Sequence, residues 1–429
     1  MSEEINKIVP KLRFPEFKET EEWEIKPLKE VYLFKSTNSF SRDYLNYNEG
    51  EFKNIHYGDI HTKFSTRFDI TKEKVPFIKP SISVEKISIE NYCIEGDMIF
   101  ADASEDLKDV GKSIELAFLN NEKLLSGLHT LLARQREHKL VVGFGGHLFM
   151  CNAIRNQIQK EAQGAKVLGI SATRLSNIKI FYPSNKAEQQ KIADCLSSLD
   201  DLITAQKQKL EALKAHKKGL MQQLFPAEGE TVPKLRFKEF RNSEDWEETN
   251  LGEKGSASFI NEKVSIQQLK LKSYISTENL LPNYEGKTLA SRLPSSGSFT
   301  QFKKGDVLLS NIRPYLKKVW FANTNGAASN DVIIIRADSK INPLFLSFLL
   351  KNDKFINFIM KSAEGVKMPR GDKDLIKEYP LAFPTKEEQQ KVADCLSSLD
   401  ELITAQKEKI EALKAHKKGL MQALFPCDH

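Results

Sequence analysis

A chain of 429 residues, 40% hydrophobic and 28% charged, has room for about two to four domains with cores of their own. It contains no run of about 18 apolar residues, which excludes a membrane-spanning helix. The opening MSEEINKIVPKLRF is acidic and polar where a secretion signal has a basic start and an apolar centre, so a cytoplasmic protein is expected. The net charge of +6 is too small for a whole-chain field. Residues 1–185 are balanced and the excess falls mostly on 227–385, so a polyanion would be held by local basic patches.

Taken in chain order, the first segment is VPKLRFPEF from Val9, with Trp23 after it. Short apolar runs bounded by Gly, Asp, Asn and Pro follow, among them EGDMIFA from Glu95 and HTLLAR from His129, and predict strands. VVGFGGHLF from Val141 has the look of a glycine-rich cofactor loop, but its spacing misses GxGxxG. GAKVL…IFYPSNKAEQQ from Gly164 leads into a long helix. The series then begins again: VPKLRFKEF from Val232 with Trp246, KGDVLLS from Lys304, DVIIIR from Asp331, and GVKMP…AFPTKEEQQ from Gly365 into a second long helix. Order is kept throughout, so the chain is a tandem duplication. The expected fold is α+β, two domains with mixed sheets and short helices (1–185 and 227–385). Two long helices follow them, 186–226 and 386–429 with its tail. Cys93, Cys151, Cys195, Cys395 and Cys427 show no ligand spacing and predict no metal site.

The helices are the best preserved part. Over 186–226 and 386–426 the two copies differ at six positions. Apolar residues alternate at spacings of four and three, through Leu199, Ile203, Leu210 and Leu213 in one copy and Leu399, Ile403, Ile410 and Leu413 in the other. Gln206 and Gln406 are polar members of the seam. This is a coiled-coil pattern in which the glutamine fixes register, on a rod roughly 50 Å long. Two near-identical seams in one chain are natural partners, and a pseudo-two-fold axis relating the halves makes that pairing antiparallel. Homodimerisation through the same seam is the alternative.

Duplicated helices opening on EQQKIADCLSSLDDLI and EQQKVADCLSSLDELI, each preceded by a proline and a divergent domain with an LRF…W entry, a GD strand and, at Ser126, an SGLH turn, resemble the specificity subunit of type I restriction–modification systems. The resemblance implies that each divergent domain is a target-recognition domain reading half of a split double-stranded DNA site. It implies helices that set the gap and dock two modification (methyltransferase) subunits, with restriction subunits completing the complex. It implies no catalysis and no cofactor on this chain; S-adenosylmethionine, ATP and Mg belong to the partners.

A DNA reader needs basic groups for phosphates and planar or bidentate groups for base edges. NIHYGDIHTKFSTRFD from Asn54 offers Tyr57, Asp59, His61, Lys63 and Arg67, and SEDLKDVGKS from Ser104 adds Lys108 and Lys112. In the second domain SNIRPYLKKVW from Ser310 offers Asn311, Arg313, Tyr315 and Lys317, and the loop EGVKMPRGDKD adds Lys367, Arg370 and Lys373. His129, beside an apolar strand, reads as structural. Two other function classes compete: a protein-binding scaffold, and a metal-dependent nuclease built on Asp97, Asp106 and Lys108. The second copy of the GD strand has no second acid before its lysine, which counts against the nuclease.

Overall fold

The computed structural model describes residues 9–361 and 369–426. Its contacts divide into two compact units, Met1–Lys207 with Lys409–His429, and Gln208–Glu408. Each unit owns part of both long helices, whereas the boundaries expected from the sequence kept each helix whole.

The first unit contains β1 (Trp23–Pro27), β2 (Tyr32–Lys35), α1 (Tyr57–Thr62), β3 (Arg67–Asp69), β4 (Met98–Ala101), β5 (Ser113–Phe118), β6 (Thr130–Gln135), α2 (Phe144–Met150), β7 (Lys179–Pro183) and the start of α3 (Lys186–Leu224). Its central sheet has the order β2-β6-β4-β5-β3, antiparallel except for the β3–β5 pair. The MIFA run is apolar at every position because both faces of β4 are covered. Met98 and Phe100 share a core with Phe144, Phe149, Ile192 and Leu196. Ile99 and Ala101 point the other way, into a cluster with Ile60, Phe68 and Leu116, as the two-residue period of a strand requires.

The second unit repeats this plan with β8 (Glu247–Asn250), β9 (Ala257–Phe259), β10 (Val307–Ser310), β11 (Val319–Phe321), β12 (Val332–Ala337), α4 (Pro343–Leu350), α5 (Asp353–Lys361), α6 (Lys373–Lys377), β13 (Pro380–Phe383) and the start of α7 (Lys386–Leu424). The central sheet runs β9-β12-β10-β11. Val307 and Leu309 join Phe345, Val392 and Leu396 on one face, and Leu308 joins Phe302 and Trp320 on the other.

The repeated entry segment and the repeated helix start are partners. In the first unit the Arg13 guanidinium donates to both carboxylate oxygens of Glu188 at 2.7 Å. In the second, Arg236 does the same to Glu388 at 2.8 Å. The next residue, Gln189 or Gln389, donates to the carbonyls of Lys139 and Pro183, or of Lys340 and Pro384. Trp23 packs edge-on to Phe425 and Trp246 edge-on to Phe225. The entry segment is tied down by Leu12 N–H donating to Ala423 O in one unit and Leu235 N–H donating to Gln223 O in the other.

α3 and α7 are 39 residues each. Asn185 caps the first by accepting from the Ala187 N–H at 2.9 Å, and a proline follows the end of each, where it cannot continue the helix. Ile203, Gln406 and Ile410 of the predicted seam are buried, and Leu199, Gln206, Leu210, Leu213, Leu399, Ile403 and Leu413 are half-buried. Leu202 and Leu402, one position off it, are 40% and 55% exposed. Lys417 pairs with Asp200 at 2.6 Å in the first unit, and Lys217 with Asp400 at 2.6 Å in the second.

Candidate nucleic-acid interface

In the first unit the chain leaves the C-terminal end of β4 at Asp102 and passes α1, to which Ala103 is tied by His61. Tyr57 opens that helix, half-buried, with its ring 4.7 Å from His56, 6.1 Å from His61 and 5.3 Å from His129. The His61 ring contacts the Ala103 carbonyl through Nε2 at 3.0 Å, and Lys112 Nζ donates to the His61 carbonyl at 2.7 Å. Tyr57, His61 and Lys112 therefore meet in one aromatic and basic cluster.

The other predicted residues of this unit divide. Asp59 is buried and pairs with Arg42 at 2.6 Å and Lys63 at 2.8 Å. Burial alone would raise its carboxyl, but hydrogen bonds from Arg42 and Lys63 hold it below the usual range. It sits between the two cations with its side chain 1% exposed. Lys63 also reaches the Tyr47 hydroxyl at 3.0 Å and remains 49% exposed. Lys108 is exposed on a turn whose backbone N–H is held by Asp106 at 2.8 Å. Arg67 is exposed but belongs to another neighbourhood, against Gly143, where its charge acts on Glu115 and His147.

In the second unit β10 delivers Asn311 into a loop of basic residues. Arg313 and Lys317 both take left-handed backbone, at φ 51° and 56°, around a single turn, Pro314–Leu316. Arg313 and Tyr315 are exposed, and no ion pair engages the Arg313 guanidinium among the described residues. Lys317 is paired with Asp353 at 2.7 Å, and Lys318 donates to the Thr277 carbonyl at 2.7 Å. Arg370 lies beside this loop through the bridge Ile312↔Arg370 and faces Asp331 at 3.5 Å. Lys373 is exposed at the start of α6, and Lys367 lies outside the described residues.

The two catalytic lookalikes resolve into structure. Both oxygens of Asp97 accept from Arg134, at 3.0 and 2.7 Å, and one also accepts from the Ile94 N–H at 2.9 Å. Asp306 and Arg336 form the same pair in the second unit, at 2.7 and 2.8 Å. A carboxylate used this way in both copies is a clamp on the turn into the sheet, with three of its four lone-pair sites already engaged. Among the described residues no group of three or more His, Cys, Asp or Glu could hold a metal.

The glycine-rich stretch encloses a side chain. Gly146 N–H donates to Glu115 Oε2 at 2.7 Å, and a Cβ on Gly145 or Gly146 would come within 3.3 and 3.2 Å of the Glu115 oxygens. Burial pushes the Glu115 carboxyl up to about 7 against the backbone donors of Gly146, Gly143 and Gly145 and the charge of Arg67.

Sequence reasoning missed Arg42, Tyr47 and Asp102. The signal for Asp102 was present: it follows the GD strand of the first copy as Asn311 follows that of the second.

A family model described as "Type I restriction modification DNA specificity domain" matches the chain twice, over residues 20–215 and 243–415. A specificity subunit assigned to the MjaX type I restriction enzyme of Methanocaldococcus jannaschii is 26% identical over 94% of this chain and 93% of its own length. The MjaVIII specificity subunit of the same organism is 25% identical over 72% and 75%. Among solved structures, the S subunit of the type I restriction–modification system of M. genitalium superposes with a TM-score of 0.58 at 16% identity, covering 98% of this chain and all of that one. No described helix is long and apolar enough to cross a membrane. With two matched regions, each beginning in an entry segment and ending inside a long helix, the chain belongs to the type I restriction–modification DNA specificity family.

Proposed function

We propose that this chain is the sequence-reading subunit of a type I restriction–modification complex, in which each unit reads half of a split DNA site. The observation that carries the reading is the contrast inside each unit. The two-point ion pairs Arg13–Glu188 and Arg236–Glu388 repeat from unit to unit, while the loops at the C-terminal ends of β4 and β10 present different exposed polar residues on one backbone plan. A reader of two unlike half-sites needs constant joints and variable loops.

The helices serve as the spacer. Within the first unit Asp200 faces Lys417, while Leu196, earlier in its helix, shares a core with Leu420, later in its own. Within the second, Lys217 faces Asp400 while Leu220, later, packs with Leu396, earlier. These contacts support antiparallel seams and a pseudo-two-fold axis, which suits two copies of one modification subunit docking on a single chain. Half-sites on one face of a duplex lie about 34–36 Å apart, within reach of such rods. S-adenosylmethionine, ATP and Mg act on the modification and restriction subunits.

The chain co-purified with its modification subunits should methylate adenines in a two-part sequence with a fixed gap, detected by mapping modified adenines. Binding and methylation spread over random duplex with no two-part consensus would overturn the reading.

A further inference from the structure

The residue that leaves the central strand is held identically in both units, although its side chain differs. In the first unit the Asp102 N–H donates to His129 O at 3.1 Å, and Asp102 O accepts from the Ile170 N–H at 2.8 Å. In the second, the Asn311 N–H donates to Asp331 O at 2.8 Å, and Asn311 O accepts from the Gly371 N–H at 3.0 Å. His129 and Asp331 each precede the neighbouring strand, whose pairing with the central strand starts at Thr130↔Ala101 and Val332↔Ser310. Two main-chain hydrogen bonds thus define one rigid frame, used twice.

What the frame displays is polar, exposed and different in each copy. In the first unit His129 Nδ1 lies 3.2 Å from Asp102 Oδ1, with side chains 51% and 29% exposed. His129 takes left-handed backbone, φ 56°, a conformation uncommon for a side chain larger than glycine, and Tyr57 packs against its ring. In the second unit Arg370 and Asp331 pair at 3.5 Å, 65% and 42% exposed. Asn311 Oδ1 is buried and unpartnered among the described residues, facing Gly371, where a Cβ would come within 2.9 Å of it. Exposed pairs of this kind add little to stability, so folding does not account for the left-handed backbone that places His129 in one of them.

We infer that Asp102 and His129 in the first unit and Asp331 and Arg370 in the second, the last two set on a frame that Asn311 helps to hold, are the base-reading residues, as distinct from the surrounding lysines that hold phosphates. The inference rests on the DNA-reading function proposed above and deepens it. Base readout needs donors and acceptors fixed in a rigid frame, whereas phosphate contacts tolerate flexible point charges. Asp102 accepts from an exocyclic amino group, cytosine N4 or adenine N6, while His129 reaches an adjacent base edge. Arg370, released from Asp331, matches guanine O6 and N7, and Asp331 then accepts from the amino group of a neighbouring base.

The test maps methylated adenines in DNA modified by the full chain together with its modification subunits. Asp102→Asn and His129→Ala should relax or change preference in one half-site, by roughly 5- to 150-fold at the affected base, and leave the other half intact. Asp331→Asn and Arg370→Ala should do the reverse. Lys373→Ala serves as the phosphate control and should weaken methylation evenly across sites. The two Asn variants keep the size of the side chain, and unchanged unfolding midpoints verify that the frame stands. If the four variants lower methylation evenly without altering either half-site, or if their effects do not separate by half, the inference is overturned. A wild-type complex with no two-part consensus would instead overturn the DNA-reading function itself.

Discussion

Arg13 and Glu188 lie 175 residues apart and meet through two hydrogen bonds of 2.7 Å, with side chains 7% and 1% exposed. Removing one member leaves a buried charge uncompensated, which costs about 3–5 kcal/mol. Arg13→Met should therefore lower the urea midpoint of unfolding sharply. Adding Glu188→Leu should recover part of the loss, since an apolar pair removes the orphaned charge. Equal stability of Arg13→Met and the wild type would mean that water reaches Glu188.

The helices carry a correctable weakness. A Cβ at Gly219 or Gly419 would meet nothing within 4 Å, and both lie inside helix. Gly219→Ala and Gly419→Ala should each stabilise by about 1 kcal/mol, read as a raised unfolding midpoint. A drop in either variant would show that the position packs against something.

Salt dependence should separate two neighbouring cations. Arg313 is exposed and unpaired among the described residues, whereas Lys317 is held by Asp353. Arg313→Ala should weaken DNA binding and reduce the slope of log affinity against log salt by about one phosphate contact. Lys317→Ala should change the slope less. Identical slopes for all three proteins would remove Arg313 from the interface.

The Glu115 carboxyl predicts a pH effect with a definite sign. Its folded value is raised from 4.5 to about 7, so the native state holds the proton more tightly than the unfolded chain. Its cost is absent below pH 4.5 and grows as pH rises to 7, reaching about 3 kcal/mol. Burial pushes His147 the other way, from 6.5 down to about 3, so its cost is absent above pH 6.5 and grows as pH falls. Between 4.5 and 6.5 the two slopes oppose one another. Glu115→Gln removes the first, so its stability relative to wild type should improve steadily from pH 5 to pH 7 in urea titrations. A difference that does not vary with pH would mean Glu115 is solvated in the native protein.

The duplication, the strands after each GD and the two long helices were legible in the sequence because each is a local periodicity or a literal repeat. The joints were not. Arg13 and Glu188 each belong to a repeat, but nothing in either segment states that one repeat binds the other. Burial was equally hidden: Asp59 and Lys63 looked alike as polar residues on a basic stretch, yet Asp59 is the buried counter-ion of Arg42 and Lys63. Gly143, Gly145 and Gly146 suggested a cofactor loop because a glycine pattern does not reveal whether the anion it encloses is a ligand or, as here, the protein's own Glu115. His129 read as structural from its apolar neighbours, and only its exposure and left-handed backbone mark it out.

The matching sockets have a consequence for how such a protein can change. Trp23 rests on Phe425 and Trp246 on Phe225, and Arg13 and Arg236 plug into glutamates at equivalent positions of the two helices. A domain carrying the LRF…W entry therefore finds the same fitting at either place in the chain. The loops after β4 and β10 can differ without renegotiating the joint, because the ion pair holds the plug and not those loops. The near-identity of the two helices then keeps one kind of fitting at both places, while the loops beyond the central strands are free to differ.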